Sequence, residues 1–283
     1  MAPDCPTSEA LHERVTKSRA AKAELAGEYA SNSDPAPPKW GVQTARPCGR
    51  ILPPQHWGLA VKSFLAGLAV VLALCTSTDA FAQQTTIPSY ASARRTFWRD
   101  LYPNDGHTYS DIYCGFDFKS RDDVEMQVEH AYPANWMAKH LGCGTRKHCE
   151  QTSDTFNHME ADLHNLWPSE ASANNLRSNH LYAIIPGEDW AFEDCDLEIS
   201  GTGANKVVEP REIARGNLAR SILYMHAEYD LPVDPAMGAL LKQWNTDDPP
   251  SADERRRNGV IEGLEGKRNP FIDDPSRANA VTF

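Results

Sequence analysis

The chain has 283 residues, 41% of them hydrophobic and 24% charged, with a formal net charge of −11 at pH 7. That apolar content can build a packed core and excludes a wholly disordered protein; 20 Pro and 17 Gly scattered without a period exclude a fibrous repeat. The acidic balance, taken alone, argues against a general polyanion binder.

Residues 8–28 suit a short polar helix, and residues 31–58, rich in Pro, Gly and Ser, read as unstructured. Then Lys62, an eleven-residue apolar run from Phe64 to Leu74, and Ala80-Phe81-Ala82 ahead of Gln83-Gln84 form the pattern of a secretory signal peptide. The run is too short for a membrane span, which needs about 20 residues. The competing reading is a short core or membrane-facing helix. Cleavage is expected after Ala82. Because the signal starts sixty residues in, translation is expected to begin near Val61, which makes 1–60 a disordered extension or a mis-assigned start, 61–82 the signal and 83–283 the mature domain. Leu72-Ala73-Leu74-Cys75 resembles a lipoprotein box, but Leu74 is bulky where that signal wants a small residue.

Without residues 1–82, Lys plus Arg falls to 20 and Asp plus Glu to 32, a net charge of −12. Four of the seven cysteines remain: Cys114, Cys143, Cys149 and Cys195. An even number in an exported chain predicts two disulfides. The close spacing of Cys143 and Cys149 favours a small staple, which leaves Cys114 with Cys195.

Residues 92–103 read as a short amphipathic helix stopped by Pro103, Tyr109 to Phe118 as an edge strand, and Gln127–His130 as an extended segment ending at Pro133. Residues 134–159 are loop-like. Leu163 to Trp167 reads as a strand halted by Pro168, followed by a helix from about Ser169 to Arg177. Helices are predicted over Pro210–Tyr229, Pro235–Trp244 and Ala252–Leu264. The sum is α+β, in one domain.

Ionisable and amide side chains cluster between residues 129 and 177: Glu129-His130, Arg146, Glu160-Ala161-Asp162-Leu163-His164-Asn165-Leu166, Asn174 and Arg177. On a strand, loop, strand and helix, such a set can hold one hard divalent cation through oxygen ligands, with a histidine left free as base.

From about Arg99 to Asp273 the chain resembles the bacterial endonuclease I family of periplasmic or secreted nucleases, in the ββα-metal (His-Me finger) superfamily. The resemblance rests on Tyr113-Cys114-Gly115, Glu129-His130-x-x-Pro133-Ala134, Met159 to Leu166, Asn174-x-x-Arg177-Ser178-Asn179, Glu209-Pro210, Arg215-Gly216-x-x-Ala219-Arg220, Tyr224-Met225 and Arg268 to Asp273, in that collinear order. It implies a ββα-metal core surrounded by helices. It further implies His130 as general base, Glu129 and Asn174 as ligands of one Mg²⁺ (with Mn²⁺ or Ca²⁺ able to substitute in binding), Asn165 as the residue orienting the base, and Arg146 as the grip on the scissile phosphate. A neutral imidazole is a competent base near neutral pH, and arginine presents a planar fork to phosphate oxygens. Three positions depart from the family pattern: Phe116 where a second Cys is usual, Ala171-Ser172 in place of a Gly-Glu pair, and Val128 in place of Trp.

His130 alone would read as an ordinary hydrogen-bonded histidine; Glu129 and the two asparagines turn that reading round. His164 is assigned to structure, and its grouping with His148, Cys149 and His158 as a zinc site has irregular spacing. Glu160 and Asp162 are read as supporting or structural acids, and Arg177 as the partner of a nearby carboxylate. Arg255-Arg256-Arg257 reads as a solvated helix face, while Arg146, Lys147 and Lys139 could form a basic rim. The expectation is a Mg²⁺-dependent, sequence-nonspecific endonuclease, periplasmic or secreted and monomeric. It would cut DNA, with RNA as a second substrate, through backbone phosphates, and keep no stable membrane association after cleavage. The alternatives are a catalytically silent nucleic-acid-binding module and a metal-dependent phosphodiesterase of small substrates.

Overall fold

The structure is a computed structural model, described for residues 83–123 and 125–283; the expected signal, the extension before it and the start codon lie outside the described residues. Helix α1 (Tyr90–Thr96) begins at Ser89, whose hydroxyl accepts the Ser92 N–H, and runs into a π turn over Phe97–Leu101. The expected edge strand is instead two short antiparallel strands, β1 (Tyr109–Ser110) and β2 (Asp117–Phe118). Asp111 causes the reversal: its buried carboxylate accepts the N–H groups of Tyr113, Cys114 and Phe116, folding the backbone around it.

Strand β3 (Met126–His130) follows. The stretch expected to be loop-like then holds three helices, α2 (Ala134–Leu141), α3 (Arg146–Thr152) and α4 (Asp154–Glu160). The polar and glycine residues that suggested a loop are the ends of these helices. Gly142 closes α2 in the left-handed region at φ 63°, Thr145 caps α3 through the His148 N–H, and Ser153 caps α4 through the Phe156 N–H.

A 3₁₀ turn over Leu163–Asn165 leads into β4 (Leu166–Glu170), antiparallel to β3 with Glu129 opposite Trp167 and His130 opposite Leu166. Pro168 does not halt this strand. Its carbonyl accepts the Ile112 N–H at 2.8 Å, so its backbone polar edge faces away from β3 and its missing N–H costs the ladder nothing. The Glu170 carboxylate accepts the Ser172 and Ala173 N–H groups and starts α5 (Ala171–Arg177) with no intervening loop. β3, β4 and α5 thus make a strand–strand–helix unit.

Strands β5 (Leu181–Tyr182), β6 (Trp190–Phe192), β7 (Cys195–Ser200) and β8 (Val207–Pro210) form a sheet of order β5-β8-β7-β6 that the sequence reading missed. Helices α6 (Glu212–Tyr229), α7 (Pro235–Asp247) and α8 (Ala252–Glu265) lie where expected, and a short α9 (Pro270–Asp273) follows. The fold is α+β. Gly216 lets the end of α7 approach α6: a Cβ there would stand 2.0 Å from the Asp248 carbonyl.

Two apolar clusters flank the β3–β4 ribbon. The larger packs α6 and α7 against α2 and the four-stranded sheet and takes in Trp167; the smaller joins α1, β1 and β2 to Ile261 of α8 and takes in Val128 and Leu166. Both disulfides form as expected, Cys114–Cys195 tying the β1–β2 turn to β7 and Cys143–Cys149 closing the α2–α3 turn. Arg257 corrects the expectation of a solvated Arg255–Arg257 face. It is buried, donates to the carbonyls of Leu163 and Leu166, and lies 4.1 Å from the Trp167 ring. Among the described residues no helix is long and apolar enough to cross a membrane.

Candidate active site

A cleft of about 660 Å³ opens where α1, β3, α3 and α5 converge. The end of β3 supplies Glu129 and His130, α5 supplies Asn174 and Arg177, the first residue of α3 supplies Arg146, and α1 supplies Tyr90, Arg94 and Trp98. With Arg121 added, four arginines and one carboxylate line this cleft. The net charge of the chain therefore says little about the field at the site.

Glu129 is buried. Its Oε1 accepts the Tyr113 hydroxyl at 2.7 Å and lies 3.3 Å from Arg177 Nη1. Burial raises its pKa, and Arg177 and Tyr113 oppose that rise by stabilising the anion. Arg177 is wholly buried and donates to the carbonyls of His130 (3.2 Å), Ala131 (2.6 Å) and Ser178 (3.2 Å), with its guanidinium 4.8 Å from the Tyr182 ring. It is the carboxylate partner the sequence suggested, and it also clamps the backbone at the cleft end of β3.

The His130 ring packs at a tilt against Tyr90, with centroids 4.8 Å apart, and its Nε2 lies 3.0 Å from the Glu160 carbonyl. A carbonyl only accepts, so Nε2 carries the proton and Nδ1 keeps a lone pair. Burial, reinforced by the charge of Arg146, pushes the His130 pKa down to about 3, and the ring is neutral at physiological pH. Glu160 serves twice, since its side-chain Oε1 holds Arg146 Nε in an ion pair. Burial pushes the Glu160 pKa up to about 7 against the pull of Arg146. Arg146 lies 4.8 Å from the Tyr90 ring, which locates it beside His130.

Asn174 donates Nδ2 to Gln127 Oε1 at 2.9 Å, which leaves Oδ1 as the amide's oxygen donor. Gln127 and Glu129, two residues apart, share one face of β3. Asn165 is buried behind the cleft rather than in it. Its amide spans the Tyr132 backbone, accepting from N at 2.7 Å and donating to O at 3.0 Å, and its carbonyl accepts the Ala131 N–H. It therefore fixes the chain just after His130, and among the described residues its hydrogen bonds go to the backbone and not to the imidazole.

Of the five residues singled out from the sequence, Glu129, His130, Arg146 and Asn174 meet in the cleft and Asn165 supports it. Lys139 and Lys147 are exposed and are not part of the cleft lining. Cys149 of the zinc alternative is consumed by a disulfide, and among the described residues no three His, Cys, Asp or Glu side chains converge as a metal cluster. The sequence reading assigned no role to Tyr113, Gln127 or the Glu160 carbonyl; only Tyr113 had a signal, within the Tyr-Cys-Gly motif. Asp162 is structural as expected, accepting the hydroxyls of Tyr224 and Tyr229 at 2.9 and 2.7 Å.

His164 is also structural, with Nε2 donating to the Lys267 carbonyl at 3.2 Å and burial holding its pKa at about 3. Its unfolded-state value is about 6.5, so between those values the unfolded chain binds the extra proton and stability falls as pH falls. His164→Gln keeps a donor but cannot titrate. Its stability deficit relative to wild type should shrink by about 2–3 kcal/mol between pH 7.5 and 4.5, read from urea midpoints. A deficit constant over that range would mean that His164 is not held neutral.

A neutral buried imidazole, a buried carboxylate and several arginines around one cleft, on a disulfide-bonded scaffold, are the equipment of an exported phosphoester hydrolase. The model of the family described as Endonuclease I matches residues 75–276, and the chain belongs to that family. An extracellular deoxyribonuclease of Aeromonas hydrophila is 29% identical over 229 residues, covering 73% of this chain and 96% of the relative. A periplasmic deoxyribonuclease of the same organism is 32% identical over 153 residues, 53% of this chain and 64% of the relative. An extracellular ribonuclease of Bacillus subtilis is 26% identical over 255 residues, 77% of this chain and 83% of the relative. The protein is an endonuclease, a hydrolase acting on phosphodiester bonds, and is periplasmic or secreted.

Proposed function

We propose that the protein is a Mg²⁺-dependent, sequence-nonspecific endonuclease that cuts DNA, with RNA as a second substrate, and that it works as a monomer. In this reading the β3–β4–α5 unit is the ββα-metal core of the His-Me finger superfamily. The observation that carries the reading is the hydrogen bond from His130 Nε2–H to the Glu160 carbonyl, which presents Nδ1 as a neutral base in the cleft that also holds Glu129, Asn174 and Arg146.

The donor set suits one Mg²⁺. One carboxylate and an amide oxygen are hard ligands, and Mg²⁺ characteristically keeps several waters and takes only one or two carboxylates besides substrate phosphate. Glu129 and Asn174 would hold it; Mn²⁺ or Ca²⁺ could take its place in binding. When bound, it supplies positive charge against the scissile phosphate and the leaving 3′ oxygen. His130 Nδ1 would take a proton from the attacking water as the new O–P bond forms and the P–O3′ bond breaks, and the departing 3′ oxygen would take its proton from solvent water. Arg146, steadied by Glu160, offers its fork to the scissile phosphate. Arg177 and Asn165 hold the His130–Tyr132 backbone from two sides. Recognition through backbone phosphates carries no base information, hence the lack of sequence preference.

Nicking of supercoiled plasmid tests the reading. The mature protein should nick plasmid DNA of any sequence in Mg²⁺ and stop in excess EDTA. Binding without nicking would favour the silent module, and hydrolysis of small diesters alone would favour the phosphodiesterase.

A further inference from the structure

The active-site cleft does not end at α1. It shares Arg94, Trp98 and Arg121 with a second groove of about 620 Å³, whose walls are completed by Ala91, Arg95 and Arg99. Tyr90, Arg94 and Trp98 recur every four residues, which puts them in one stripe along α1 and its π turn. The near end of the stripe is fixed at the reaction centre, where Tyr90 lies against both His130 and Arg146. From Tyr90 to Trp98 the helix rises roughly 12 Å at about 1.5 Å per residue. At about 3.4 Å per nucleotide along one strand, that is the length of about three to four nucleotides.

The charges in this groove are available. Arg94 and Arg95 are exposed, and among the described residues neither has a carboxylate within ion-pair distance. Among the described residues Arg95 donates to the Ser92 hydroxyl alone, and Arg94 lies 5.9 Å from the Tyr90 ring. Arg99 and Arg121 are partly neutralised by Asp100 and Asp122, at 2.8 and 3.4 Å from their Nε atoms. Trp98 is half-buried and braced edge-on against Phe97 and Phe118, so it offers a fixed floor. In a mature chain of net charge −12, two unpaired arginines beside a groove that opens into the catalytic cleft make a local positive field aligned with it.

We propose that this second groove is a track for the polynucleotide backbone: the strand being cut continues out of the cleft along α1, its phosphates held by Arg94 and Arg95 over the Trp98 floor. The inference rests on the nuclease reading of the cleft and adds to it that the substrate is a polymer reaching about three to four nucleotides to one side of the scissile phosphate.

The test is binding in EDTA, where no cutting occurs, of a fluorescein-labelled 20-nucleotide DNA strand and of a labelled trinucleotide, followed by anisotropy across a salt series. For a single strand, each phosphate left without its arginine flattens the slope of log K against log salt by about 0.7. The Arg94→Gln/Arg95→Gln protein should therefore bind the 20-mer with a slope shallower by roughly 1.4, and its loss of affinity should be larger for the 20-mer than for the trinucleotide. Arg94→Lys/Arg95→Lys should restore most of the slope, because counterion release follows charge. Arg255→Gln, an exposed change on α8, should leave the slope at the wild-type value. A wild-type slope in the Arg94→Gln/Arg95→Gln protein, or losses equal for both lengths, would overturn the track. A protein that shows the expected slopes but never nicks plasmid in Mg²⁺ would leave the track standing and overturn the nuclease reading instead.

Discussion

Replacing His130 by alanine should lower the rate of strand nicking by roughly two to four orders of magnitude, with DNA binding retained. The imidazole is neutral before substrate arrives, since burial and the charge of Arg146 both lower its pKa, so no proton has to leave it first. Its Nε2–H is engaged by the Glu160 carbonyl, which fixes both the ring plane and the nitrogen that accepts. Alanine removes that acceptor and leaves Glu129, Asn174 and Arg146 in place, so the loss should fall on kcat rather than on KM. A His130→Ala enzyme whose KM rises while kcat holds would show that the ring serves binding.

Arg177→Met should cost about 3–5 kcal/mol of folding stability, one of the largest single-residue losses expected in the molecule. The guanidinium is fully buried and satisfies three backbone carbonyls as well as the Glu129 carboxylate. Methionine fills the volume but leaves Glu129 buried without its cation and the carbonyls of His130 and Ala131 without their side-chain donor. Part of that cost belongs to the unpaired charge, so Glu129→Gln in the same chain should recover about 0.5–3 kcal/mol. Urea midpoints for the two single variants and the double variant measure both terms. A loss below about 1 kcal/mol for Arg177→Met would mean that the clamp on β3 is not structural.

What could be read in advance was what lies close together in the chain. Glu129 and His130 are adjacent at a strand end, and Asn165 and Asn174 stand just before the second strand and in the helix after it, so a single strand pairing brings Asn174 to the cleft and sets Asn165 behind it. The cysteine pairing was legible for the same reason, because one short staple forces the long one. The Glu160 contact was not, since a backbone carbonyl has no residue-type signature. The three helices between β3 and β4 were hidden by their own caps: Gly142, Thr145 and Ser153 fall so close together that end signals look like loop composition. The four-stranded sheet was lost because β5 and β6 are too short to show alternation. Net charge pointed the wrong way because a sum over the chain has no direction. Arg94 and Arg95 carried no signal of their own within the expected amphipathic helix; the packing of Tyr90 on His130 is what turns the Tyr90–Arg94–Trp98 stripe toward the cleft.

In the proposed mechanism labour is divided: Glu129 and Asn174 would hold the cation, and His130 would move the proton. Plasmid-nicking rates across a Mg²⁺ titration of the wild-type, Asn174→Ala and His130→Ala proteins test it most directly. Asn174→Ala should need more Mg²⁺ for half-maximal rate and recover part of its activity at high Mg²⁺. His130→Ala should saturate at the wild-type Mg²⁺ concentration and stay slow at its plateau. A His130→Ala enzyme that regains full rate at high Mg²⁺ would make His130 a ligand and contradict the mechanism.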